Sequence, residues 1–555
     1  MNTLDYLVLL VFTVGIMLTT IAFAKTGKNM KSFFAGGANV PWWISGLSLF
    51  MGFFSAGTFV VWGSIAYDLG FVSITILSTM CFSGFVVGIF IAPRWKKTAI
   101  LTVGEYVANR LGKEVQKLYI YLFLLMGLIG SANVLYPVAR ILNAATHLDM
   151  NLLILIFGLM IIVYTTVGGL WAVMVSDVLQ FFVLTIAVSI ILPLTIKHVG
   201  GFEVFIDKAP KDFFKPFAGE FTAGFIVAFI FYHIILLAGN WPFVQRFTSV
   251  SSPKNARKVA ILFGVLYIFS TIIWMLPPMM YKVINPTLIG NESEGAYLLV
   301  SKTVLPIGML GLMLTAMIFA TNSHANANLN LCSAVFANDI YKKIFPNTPE
   351  KKLMLVARLA NVAFGLIIIA FALCIQFMGG IVEVVLSVAA IAGGALFLPP
   401  LWTLFSKYQT GKSIMAITLV SLFVGLFFKI ITPAVFDFGL NRTQEMSLGV
   451  GLPIVLLAAF ELYAISRKLV SPQYLVYIAI PKIESEESKA DARKQNAHSL
   501  RIIAIALSMI AFLLFLISIF TNAYHWVLAA VALFIALISL SILFTVNKLK
   551  KYEKI

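Results

Sequence analysis

Apolar stretches of about 20 residues, parted by short polar loops, follow one another along almost all of this 555-residue chain. The hydrocarbon of a bilayer is about 30 Å thick and takes roughly 20 helical residues to cross. Lipid offers no partner to a free backbone group, so each crossing has to satisfy its own hydrogen bonds. The chain therefore reads as an all-α polytopic membrane protein of about fifteen spans. They fall near residues 5–24, 42–66, 71–93, 118–145, 151–168, 170–196, 221–245, 258–283, 306–337, 353–378, 381–405, 412–432, 447–466, 502–520 and 526–546. With 60% hydrophobic and only 11% charged residues, no soluble domain class fits.

The net charge of +17 could suggest a nucleic-acid partner, but its distribution excludes that reading. If the N-terminus lies outside and the spans alternate, about three quarters of the 40 Lys and Arg fall in loops on one side. That is the positive-inside bias. It predicts a multi-pass cell-membrane protein with a cytoplasmic C-terminus and the lipid bilayer as its surroundings. The first apolar segment has Asp5 before it and KTGKNMK after it and shows no small-residue cleavage site, so it reads as a retained helix. Cys81, Cys332 and Cys374 all sit in predicted spans and form no disulfide or metal pattern. Phosphate-loop and HExxH motifs are missing. No enzyme activity and no organic cofactor are expected.

Two spans look interrupted. PWWISGLSLFMGFFSAGTFVVWGSIAYDLG carries Gly46, Gly52, Gly57 and Gly63 with Ser55 and Thr58 between them. FYHIILLAGNWPFVQRF carries Gly239, Asn240 and Pro242; Pro has no N–H to give and its ring crowds the preceding turn. Irregular backbone at membrane depth survives only where protein or water covers it. Two such breaks, five spans apart, point to an inverted-repeat transporter with its site between them.

Four stretches carry a family resemblance: SFFAGGANVPWWISGLSLFMGFFSAGTFV (32–60), TVGEYVANRLGK (102–113), YTTVGGLWAVMVSDVLQFFVL (164–184) and LPIGMLGLMLTAMIFATNSHANANLNLCSAVFANDIY (305–341), with QRF at 245–247. In these the chain resembles the sodium:solute symporter family, over about residues 1–470. The resemblance implies a LeuT-type 5+5 inverted repeat with one extra N-terminal and four extra C-terminal helices. The expected organisation is an N-terminal span in 1–30 and a ten-helix core in 31–410, its repeats near 40–197 and 218–406. Two peripheral spans follow in 411–470, a cytoplasmic linker in 471–501, and two helices with a basic tail in 502–555. The implied function is cation-coupled symport of a small organic solute by alternating access, with Na⁺ as the coupling ion. The resemblance also implies a cation site between the first and eighth core helices. Backbone carbonyls of Met51, Phe54 and Ala320 and the hydroxyl of Ser323 would face the ion. The family's next position is Ser or Thr; here it is His324.

The run MIFATNSHANANLN (317–330) is costly for a bilayer helix, since each unsatisfied polar group in hydrocarbon costs several kcal/mol. At 100° per residue Ser323, Asn326 and Asn330 share one face, and Thr321, His324 and Asn328 form a stripe beside it. Asp177, on the fifth core helix, is the expected partner; an intramembrane carboxylate is a functional hypothesis by default. Three outcomes stay open for His324. Na⁺ binds through carbonyls, Ser323, Asp177 and Asn326 while His324 turns aside; protonated His324 replaces the ion and the carrier is H⁺-coupled; or coupling is lost and the protein is a facilitator or nutrient sensor.

For the solute, the family's sugar-contacting positions correspond here to Phe53, Gly57, Thr58, Asn240, Tyr267 and Val382. Most have lost their polar character, and a sugar's hydroxyls are costly to bury unpaired. Trp241 and Phe243 add to an aromatic set with Phe53, Phe54, Trp62 and Tyr267. That set suits a small organic acid, an amino acid, a nucleobase-like ring or a quaternary amine. Arg140 could clamp a carboxylate or pair with Glu383. His233 reads as a packing residue.

Overall fold

The computed structural model describes residues 1–23, 40–100, 102–375, 381–479, 489–520 and 525–552, with the side chains of 16–23, 167–172, 291, 381–384, 388, 489–496, 498–499, 527, 545 and 547–552 not among those described. The described backbone is helix, turn and loop, apart from two isolated bridges, Val40 with Val250 and Ala218 with Phe221.

Helix α1 (Thr3–Phe23) precedes a broken pair, α2 (Trp42–Phe53) and α3 (Thr58–Leu69), bent by 61°. Then come α4 (Phe71–Lys97), the short α5 (Val103–Leu111) and α6 (Lys113–Thr146). Helices α7 (Met150–Thr166) and α8 (Val173–Val199) belong to one helical run. Gln180 Nε2 nevertheless donates to Tyr164 Oη at 3.3 Å. Sixteen residues of straight helix span about 24 Å, so the chain folds back between them.

The second broken pair is α9 (Ala223–Gly239) and α10 (Trp241–Thr248), bent by 58°. After it come α11 (Pro253–Ile284), the short α12 (Ala296–Val304), α13 (Met309–Val335), α14 (Glu350–Ile375) and α15 (Ile381–Trp402). The last four are α16 (Gly411–Phe436), α17 (Arg442–Ser466), α18 (Lys489–Phe520) and α19 (His525–Tyr552).

Among the described residues nine helices are long and apolar enough to span a bilayer, or eleven if each bent pair is one span. Sequence reading expects about fifteen. The shortfall has two causes. The apolar parts described within α1, α7 and α19 are short, and the polar run of α13 lowers its mean hydropathy. Part of the expected linker is also helical: Pro472–Ala479 forms a short helix, and α18 already begins at Lys489. Residues 489–501 are rich in Ala, Lys, Arg and Gln, good helix formers that let the turn propagate backwards from the span.

Helix α13 is the hub. It packs on α1, α2, α6, the α7–α8 run and α14, and every residue from Met309 to Val335 is buried except His324. Helix α1 is fastened to its start: buried Asp5 Oδ1 accepts from the backbone N–H of Gly308 (2.8 Å) and Gly311 (3.1 Å). These donors have no partner within the helix, and a carboxylate there meets the positive end of the helix dipole. The C-terminal pair α18–α19 packs together and leans on α8.

Candidate functional site

The first break follows from its sequence. Helix α2 stops at Phe53, and Phe54 is extended at φ −96°, ψ 139°. The N–H groups just beyond a break lack i−4 carbonyls and need other acceptors. Three are supplied. Phe54 N donates to Met51 O (3.1 Å), Ser55 N to Thr58 Oγ1 (3.3 Å) and Ala56 N to Thr321 Oγ1 of α13 (3.0 Å). Helix α3 opens with a π-helical stretch, Thr58–Trp62, a form frequent at functional sites. At the second break Asn240 is extended (φ −71°, ψ 125°) and Pro242 starts α10, where its missing N–H costs nothing. The freed carbonyl of Ala238 is taken by Trp95 Nε1 at 2.7 Å.

The polar run of α13 meets protein on every side. Asp177 of α8 is 1% exposed. Its Oδ2 accepts from Ser48 Oγ of α2 at 2.6 Å and lies 3.9 Å from Arg246 Nη2 of α10. Arg246 also donates through Nε to Ser48 Oγ (3.3 Å) and through Nη1 to Pro242 O (3.0 Å). Arg246, the arginine of QRF, carries no role in the sequence pattern alone; a cation at an interrupted span is its signal. Ser323 is set toward the Asp177 carboxylate, but its buried hydroxyl makes no hydrogen bond of ordinary geometry. Asn322 Oδ1, Asn330 Oδ1 and Gln180 Oε1 are open in the same way. Buried polar atoms are paired in the great majority of cases. A hydroxyl left open next to a carboxylate offers the hard oxygen donors that a small cation prefers. Asn326 is turned elsewhere: its Oδ1 accepts from Thr165 Oγ1 of α7.

Met51, Phe54 and Ala320 are fully buried where α2 meets α13. His324 directs its imidazole at the Gly52 carbonyl in the last turn of α2, while its Nδ1 has no partner. His324 also borders a cavity of about 250 Å³ between the two broken pairs. Of the solute residues expected from sequence, Phe53, Gly57, Thr58, Asn240 and Phe243 line that cavity. Trp241 does not: it is stacked on Phe123 with ring centroids 4.4 Å apart. Tyr267 is also elsewhere, packed on Phe50 (5.2 Å) and Phe263 (4.7 Å). The side chains of Val382 and Glu383 lie outside the described residues, and Arg140 is exposed.

Several polar lining residues carry no solute role in the sequence analysis, among them Asn133 of α6, Asn328 of α13 and His233 of α9. A polar residue at mid-span was the available signal for each.

The sequence profile described as "Sodium:solute symporter family" matches residues 33–420. Among similar proteins, the sodium/sialic acid symporter SiaT of Proteus mirabilis (strain HI4320) is 28% identical, over 65% of this chain and 76% of its own length. The sodium/glucose cotransporter of Vibrio parahaemolyticus is 24% identical, over 73% of this chain and 80% of its own length. Mouse sodium/glucose cotransporter 1 is 26% identical, over 64% and 61%. Among solved structures, the substrate-bound outward-open state of a Na⁺-coupled sialic acid symporter superposes with a TM-score of 0.71 at 23% identity, covering 82% of this chain and 96% of that one.

Proposed function

The chain belongs to the sodium:solute symporter family, and from that premise we propose that it is a Na⁺-coupled symporter of a small organic solute working by alternating access. The observation that carries this reading is the open Ser323 hydroxyl beside Asp177, one residue from a histidine that borders the solute cavity. Carbonyls of Met51, Phe54 and Ala320, with Ser323 and Asp177, make the cation's oxygen shell. His324, directed at the Gly52 carbonyl, and Asn326, engaged by Thr165, stand at its border.

Coupling is then mechanical. The cation draws the unwound end of α2 onto α13, and the same end of α2 presents Phe53 to the solute. A ligand shifts such an equilibrium only through unequal affinity for the two states, and a cation that bridges two helices has that property. The core is a 5+5 inverted repeat whose two first helices are the broken pairs. Counting α1, α7, α13 and the C-terminal pair as crossing gives about fifteen spans, the first entering from outside and the last ending in the cytoplasm.

The test is uptake into proteoliposomes holding the purified protein, under an inward Na⁺ gradient and, separately, an inward H⁺ gradient. Uptake that follows Na⁺ alone is expected; uptake that follows H⁺ alone overturns the assignment in favour of a protonated His324. Asp177→Asn should raise the half-saturating Na⁺ concentration at least tenfold, a loss of about 1.4 kcal/mol. An unchanged Na⁺ response in that variant removes Asp177 from the site.

A further inference from the structure

Resting on that transport reading, we infer that the solute is an uncharged single-ring molecule bearing both hydrogen-bond donors and acceptors, of the cyclic-amide or cyclic-urea kind. Charge gives the first argument. Among the described residues that line the cavity there is no Asp, Glu, Lys or Arg. An ionised group moved from water into such a place costs several kcal/mol unless a counter-charge meets it. Arg140, the carboxylate clamp that sequence offered, faces outward. Arg246 is fully buried against Asp177 and lines no part of the cavity. Among the described lining residues, a carboxylate-bearing solute therefore meets amide and imidazole groups but no Lys or Arg.

The second argument is the kind of polar group that is present. Asn133, Asn240 and Asn328 bring three carboxamides to the cavity wall, each with two N–H donors and a carbonyl acceptor. None of the three side chains is bonded to another described residue. Ser55, Thr58, Tyr232 and His324 also reach the wall; His233 adds a group whose tautomer can be worked out. Thr79 Oγ1 donates its single proton to Ile76 O at 2.6 Å, so it can only accept from His233 Nδ1, also at 2.6 Å. The neutral imidazole then carries its proton on Nδ1 and offers a lone pair at Nε2. A solute that satisfies this set needs an N–H for His233 and neighbouring N–H and C=O groups for the amides.

Shape gives the third. The cavity's 250 Å³ lies below the ~300–1,000 Å³ usual for drug-sized ligands. Much of its apolar wall is aromatic: Phe53 lies against Phe243 with centroids 4.0 Å apart, and Trp62, Phe123, Phe229 and Phe397 line other parts, with Met80, Met126 and Leu236 among them. A ring with polar edges and apolar faces uses both kinds of wall. A hexose would leave several hydroxyls against phenyl rings, each an unpaired buried group.

The experiment measures the melting temperature of the purified full-length protein in Na⁺ with five probes: uracil, hydantoin, galactose, N-acetylneuraminate and choline. Uptake of radiolabelled uracil and hydantoin under a Na⁺ gradient follows. At least one ring probe should stabilise the protein and bind tenfold or more tightly than the other three. Equal or tighter binding of the acid, the amine or the sugar overturns the inference, and so does silence from both ring probes. Asn240→Ala and His233→Phe should each weaken the ring probe at least tenfold while the Na⁺-dependent rise in melting temperature persists; ring binding unchanged in both counts against it. If the protein responds to Na⁺ but prefers another probe, only the solute class falls. If Na⁺ neither stabilises it nor drives uptake of any probe, the symport reading falls as well.

Discussion

Thr321 shows how one side chain supports the break: its hydroxyl accepts the Ala56 N–H that the unwinding of α2 sets free. Thr321→Val keeps the shape and removes the acceptor, leaving a buried donor unpaired. Stability should fall by about 1–3 kcal/mol, read as a lower melting temperature, while Thr321→Ser should stay near the parent. His324 sits one residue from the open hydroxyl of Ser323 and points at the Gly52 carbonyl. Imidazole nitrogen is a poor ligand for a hard cation. His324→Ser places an oxygen there, and the half-saturating Na⁺ concentration in transport assays should fall several-fold. No change would make His324 a clip on α2 with no bearing on the ion. Both residues stood out in the sequence as polar positions within an apolar span. Their partners did not, because Gly52 and Ala56 are backbone groups that any residue type could have offered.

At the scale of elements, glycines decide how closely helices approach. A Cβ on Gly449 of α17 would lie 1.7 Å from the Ala390 carbonyl oxygen of α15, and one on Gly394 would lie 2.1 Å from the Gly449 oxygen. The peripheral helix thus meets the core backbone to backbone. Gly449→Ala should push the two apart, at about 1–3 kcal/mol of overpacking, lowering both melting temperature and transport. Gly451→Ala, with open space around it, should change neither. The two breaks were readable from Gly52, Gly57, Gly239 and Pro242, since these residues either weaken a helix or lack its donor. The fastening of α1 to α13 through Asp5 was not readable. An acidic residue before an apolar run looks like a flank until the far helix start is placed beside it.

For the whole molecule, the proposed symport of an uncharged solute makes each turnover carry a positive charge for every Na⁺ that accompanies it. Every 100 mV is then worth about 2.3 kcal/mol, enough for roughly 50-fold accumulation at about 1.4 kcal/mol per tenfold. Proteoliposomes with equal Na⁺ on both sides and an inside-negative potassium diffusion potential should concentrate the ring probe. An absence of voltage dependence would mean that no net charge crosses. The many-span helical character, its two interruptions and the family were legible in the chain alone. Each follows from how single residues and short runs partition between water and hydrocarbon, whatever lies across from them. Only the folded chain decided that Asp177 is held by Arg246 and Ser48, that Asn326 is taken by Thr165, and that Trp241 and Tyr267 turn from the cavity while Asn133 and His233 face it. Those outcomes depend on the rotation of each helix about its axis, which is set by packing against neighbours far away in sequence.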